Sequence, residues 1–131
     1  MQNSVNSISV DETALRSRIE ELKQLQQGWL DGSGEPLDSD QLEWLVECLV
    51  KHFHGPGLFP YLFPTPEGKV LLEWMIADCS VTLEIHLNNR HASWHSLNLL
   101  SNEVDESYYE IDHANAWKDI ASRVKKLRRS E

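Results

Sequence analysis

The 131-residue chain carries 21 Asp and Glu against 12 Lys and Arg, a formal charge of −9. That excess weighs against a nucleic-acid partner, whose phosphates Lys and Arg must neutralise. An apolar content of 40% is that of a folded globule, long enough to bury one core without disulfide or metal staples.

The N-terminal stretch MQNSVNSISV is polar and aperiodic, so residues 1–10 are expected to be loose and 11–131 to form a single α+β domain. It has neither the charged start nor the apolar centre of a secretory signal. No apolar run reaches the roughly 18 residues that span a bilayer, so no membrane is expected. Cys48 and Cys79 stand far apart without CxxC or Cys/His spacing, which predicts two free thiols in a reducing cytoplasm.

From Asp11 the pattern turns helical. Asp11 or Thr13 caps, and Leu15, Ile19, Leu22 and Leu25 form one apolar stripe running to about Gln27. GWLDGSGEP then breaks the helix, with Trp29 expected to plug the core. A second helix, capped at Asp38 or Ser39, buries Leu42, Leu45, Val46, Leu49, Val50 and Phe53 and ends by Gly55. Trp44 points about 160° from that stripe and is expected to meet a loop or another chain. Tyr61-Leu62-Phe63 is a short edge-strand candidate between prolines.

Residues 64–87 read as a turn followed by a β-hairpin. Pro66 at i+1 and Gly68 at i+3 fit a type I turn begun by Thr65. Val70-Leu72-Trp74-Ile76 and Val81-Leu83-Ile85-Leu87 alternate onto one buried face. The register expected pairs Trp74 with Leu83, Leu72 with Ile85 and Ile76 with Val81, leaving Asp78-Cys79 as the turn. A third strand, Ala92 to Leu99, follows the turn Asn88–His91, and Ala92 is set opposite Leu87. Ser107 to Ile111 is a fourth short strand after an acidic loop. A last helix runs from His113 to about Arg128, with Trp117, Ile120, Val124 and Leu127 on one face. The expected fold is α+β: two N-terminal helices, a three- to four-stranded antiparallel meander, and a C-terminal helix over one sheet face.

GWLDG at 28–32, PTPEG at 64–68, LEW at 72–74 and LEI at 83–85 together resemble a group of small bacterial proteins of uncharacterised activity. The resemblance covers roughly residues 20 to 100. It implies a bacterial, cytoplasmic protein and carries no catalytic residue, ligand or partner with it.

The polar face of the hairpin holds the candidate chemistry. The expected register sets Glu73 across from Glu84, a repulsive pair that needs compensation. It also sets His95 beside Glu84 and Ser93 beside His86. Two carboxylates and an imidazole are a possible divalent-metal or acid–base set using Glu73, Glu84, His86 and His95. Leu71, Met75, Leu97 and Leu99 are expected to share that face, and an apolar patch rimmed by Glu and His is what an interface looks like. The expectation favours a non-catalytic, acidic, cytoplasmic protein without metal or cofactor. It binds a protein partner or a second copy through Leu71, Glu73, Met75, Glu84, His86, His95 and Leu97. A metal- or small-molecule-binding enzyme is the first alternative, and an antitoxin- or immunity-type inhibitor of a basic partner the second. The GWLDGSGEP glycines are read as a tight loop, because Asp31 and Glu35 repel a phosphate. The basic run at 125–129 is read as complementing a helix C-terminus.

Overall fold

The computed structural model describes residues 10–55 and 57–129, so the expected loose N-terminus falls, apart from Val10, outside the described residues. Helices α1 (Glu12–Lys23) and α2 (Ser39–His52) precede strands β1 (Tyr61–Pro64), β2 (Val70–Ile76), β3 (Cys79–His86), β4 (His91–Asn98) and β5 (Val104–Glu110), and α3 (Ala114–Arg129) closes the chain. The strands form one antiparallel meander in the order β1-β2-β3-β4-β5. The sheet therefore has five strands, not three or four. The proline-flanked Tyr61–Pro64 segment does pair, at the edge where proline is tolerated, and the last strand begins three residues earlier than expected.

Both N-terminal helices start on an aspartate that accepts from the third backbone N–H beyond it: Asp11 from Ala14 at 2.8 Å and Asp38 from Gln41 at 2.9 Å. Asp38→Ala is expected to cost about 1 kcal/mol, read as a lower urea midpoint at unchanged slope. The stripes Leu15-Ile19-Leu22, Leu42-Leu45-Val46-Leu49 and Trp117-Ile120-Ala121-Val124 meet Leu62, Val70, Leu72, Trp74, Ile76, Val81, Leu83, Ile85, Ala92 and Trp94 in one buried cluster. All three helices thus cover the same face of the sheet.

Of two aromatic expectations, one changes. Trp44 does reach a loop: the guanidinium of Arg90, in the turn 87–90, lies 4.1 Å over its ring, and the indole also packs edge-on to Trp117 at 6.3 Å. Trp29 does not enter the core. It closes its own loop, donating from Nε1 to the Glu35 carbonyl at 2.9 Å across Gly34, where a Cβ would come within 2.7 Å of the indole. The PTPEG turn forms as read, with Gly68 donating to the Thr65 carbonyl at 3.1 Å. Gly68 takes the left-handed conformation at φ +86°, closing the hairpin with a bulge. The two loops are joined, since the Glu35 N–H donates to the Pro66 carbonyl at 3.0 Å.

Candidate functional site

Alternation along the strands sends Leu71, Glu73, Met75, Glu84, His86, His95 and Leu97 away from the helices, onto a single face of the sheet. Their pairing differs from that expected. Leu72 opposes Leu83, Trp74 opposes Val81 and Ile76 opposes Cys79, so the two-residue turn is Ala77-Asp78. The slip is two residues, which leaves every side chain on its expected face while changing its neighbours. Trp74 and Leu83 remain on the inner side, diagonal to one another instead of opposed. Ala77 takes up the turn at φ +53°, a conformation that nothing in the alanine side chain advertises.

Glu73 consequently faces Thr82, and Glu84 faces Leu71. The expected carboxylate pair is therefore diagonal, at a separation of about 7–8 Å in such ladders, and its direct repulsion is gone. β4 is shifted as well: Ala92 opposes Ile85, His95 opposes Thr82, Ser93 opposes Glu84, and His86 opposes His91. The turn is Leu87–Arg90 rather than Asn88–His91, with Arg90 at φ +55°. The row of Glu73, Glu84 and His95 does not form. The observed rows are Tyr61-Glu73-Thr82-His95-Glu106 and Phe63-Leu71-Glu84-Ser93-Tyr108. They are flanked by Met75-Ser80-Leu97-Val104 at one end and His86-His91-Glu110 at the other. Leu99 has left the sheet for the β4–β5 turn, where its N–H donates to the Asp78 carbonyl at 2.8 Å.

The polar groups on this face pair locally. Glu84 meets His86 Nε2 at 3.2 Å and Lys69 Nζ at 3.9 Å. His95 lies 4.0 Å from Glu106, and His91 sits between Glu110 at 3.9 Å and the Tyr108 hydroxyl. Each of these side chains is half-buried or exposed, so the pairs are bathed in water and each contributes less than about 1 kcal/mol. Among the described residues no three His, Cys, Asp or Glu side chains gather closely enough to hold a metal ion. The thiol of Cys48 is pushed up to about 11 by its burial in the helix packing, which makes it a packing group and not a nucleophile.

The apolar part of the face is larger than the sequence suggested. Met75 (64% exposed), Tyr108 (61%), Val104 (56%), Tyr61 (48%) and Phe63 (41%) all lie on it, and Leu99 and Leu100 stand exposed at its end. Val104 and Tyr108 were hidden because β5 is polar on both sides. Asp105 and Ser107 face inward, where Arg123 from α3 satisfies them. Only the inward pair Tyr109 and Ile111 marks that strand's buried side.

No protein-family model matches the chain, and neither a curated protein nor a solved structure matches it. None of the helices in the described residues is long and apolar enough to cross a membrane.

Proposed function

We propose that the protein acts without catalysis, by binding another protein through the open face of its sheet. The observation that carries this reading is the concentration of exposed large apolar side chains on the one sheet face that no described helix covers. Single exposed apolar residues need no explanation, but a contiguous set does. Strands of 4, 7, 8, 8 and 7 residues, about 4.8 Å apart and rising about 3.3 Å per residue, present about 540 Å² in projection. That is about two-thirds of the roughly 800 Å² which one partner contributes to a standard interface, before the Leu99-Leu100 corner is added.

Charge selects the kind of partner. Glu73, Glu84, Glu106 and Glu110 lie on the face against two bordering cations, Lys69 beside Glu84 and Arg18 over Phe63, and the chain as a whole is at −9. Two such faces repel, which favours a different protein presenting Lys or Arg around an apolar centre over a second copy. This is the chemistry of an acidic inhibitor or antitoxin-type protein, and a cytoplasmic site of action accords with its two free thiols. Membership of the bacterial group described above is part of the proposal. The GWLDG and PTPEG loops that carry the resemblance form one joined unit.

The test is affinity capture from the native host at matched bait levels, using the wild type and a Met75→Arg/Tyr108→Arg variant. A specific partner is expected to be retained by the wild type and to bind the variant about tenfold or more weakly. Raising NaCl from about 50 to about 300 mM is expected to weaken the wild-type complex. Equal retention by both baits, or a wild-type dimer in mass photometry with no other partner, contradicts the reading.

A further inference from the structure

On the helix layer, opposite the open sheet face, a cleft of about 300 Å³ lies between the end of α2 and the flank of α3, lined by His52, Lys118, Ala121, Ser122, Lys125 and Arg129. Lys118, Ser122, Lys125 and Arg129 follow each other at helical spacing along one side of α3. Lys51 flanks His52 at the end of α2, and Lys126 and Arg128 add charge to the same end of α3. The cations of the cleft itself are Lys118, Lys125 and Arg129, with Lys51 beside it.

These cations differ from the rest in their partners. Arg16, Arg18, Lys23, Lys69 and Arg123 each pair with a carboxylate. Arg90 lies on Trp44 and bonds Gln41. Among the described residues no carboxylate stands within salt-bridge range of Lys51, Lys118, Lys125 or Arg129. Helix-dipole complementation does not explain them all. Lys118 is the fifth residue of the 16-residue α3, far from the negative C-terminal end that a cation complements. Lys125 and Arg129, four apart, are a like-charge pair that costs folding stability unless an anion lies between them. The floor is built as well: the His52 ring stacks on the buried Trp117 at 6.4 Å, and Ser122 lines the cleft together with the lysines.

We infer that this cleft is an anion site that takes the phosphate group of a small, soluble phosphorylated molecule. Arg129 supplies a fork for two phosphate oxygens, the lysines supply point charges, and His52 and Ser122 supply neutral donors. The volume suits one or two phosphates with a small attached group. A long polyanion is disfavoured, because the acidic surface beyond the cleft repels it along its length. The His52 imidazole is held below its ordinary value by burial, and further by Lys51, Lys118 and His54, so a bound dianion raises it.

The test titrates inorganic pyrophosphate into the protein at constant ionic strength, with backbone amide and His52 ring resonances followed by NMR. Saturable shifts confined to residues 51–52 and 118–129 are expected, with an upward move of the His52 midpoint and a higher melting temperature. Lys118→Gln/Lys125→Gln is expected to weaken binding about tenfold or more and to melt no lower than the wild type without ligand. The single variants Lys118→Gln and Arg129→Gln give intermediate losses. Shifts reproduced by NaCl, no saturation, or unchanged binding in the double variant overturns the inference. So does binding to phosphatidylglycerol vesicles that pyrophosphate does not compete away, which assigns the charge to a membrane surface.

Discussion

Trp117→Ala is expected to lower the free energy of unfolding by about 4 kcal/mol and the melting temperature by about 12 °C. The indole is 1% exposed and is the hub of the helix layer, with ring centroids 6.3 Å from Trp44, 6.4 Å from His52 and 6.5 Å from Phe53. Its Nε1 donates to the Ile111 carbonyl at 2.7 Å, which ties the end of β5 to the start of α3. Truncation removes that donor and leaves a cavity between helices that are anchored elsewhere and cannot close over it. A domain of this size is stable by only about 5–15 kcal/mol, so the variant sits near the edge of folding. Trp117→Phe keeps most of the volume and loses the hydrogen bond, for a smaller cost of about 1–2 kcal/mol. Urea unfolding checks both. A loss below about 2 kcal/mol for the alanine variant would show that the helices repack without this ring.

The next largest effect is expected at Arg123, a charged residue acting as packing. Its guanidinium lies 4.1 Å over the Trp94 ring while Nη1 donates to Ser107 Oγ at 2.9 Å and Tyr109 Oη at 2.8 Å, and Nη2 meets Asp105. The Asp105 carboxylate is 64% exposed, so that ion pair contributes little. The cost of Arg123→Ala comes from the uncovered indole and the two hydroxyl bonds, about 2–3 kcal/mol in all. Arg123→Lys restores charge without the planar fork and is expected to recover less than half. A lysine variant as stable as the wild type would assign the effect to charge alone.

The inward faces of β2, β3 and the three helices were legible in the sequence because apolar residues recur there at periods of 2 and 3.6. Legibility ended where that signal ends. Hydrophobic alternation distinguishes the two faces of a hairpin but not registers two residues apart, and the turn is Ala77-Asp78, with alanine at positive φ, where the expected pairing left Asp78-Cys79. The polar row inferred from Glu73, Glu84 and His95 failed because the β2–β3 and the β3–β4 registers each lie two residues from the expected one. β5 was half hidden because its inner side chains are polar and find their partner in Arg123, 16 residues beyond Ser107 and 18 beyond Asp105. The seven candidate residues nonetheless share one face, since a slip of two cannot move a side chain through the sheet. The basic cleft was not legible as a cleft. Its residues come from two helices, and the run at 125–129 read alone is an ordinary helix end.

Site-specific photocrosslinking in the native host decides whether the open sheet face is a binding surface. A benzophenone side chain placed at Met75, at the centre of the exposed apolar set, is compared with one at the exposed Ser17 on α1. A discrete heterologous adduct with a basic protein is expected from Met75, and none from Ser17. An absence of adducts at Met75, the same adducts from both positions, or an adduct of twice the chain's own mass would contradict it.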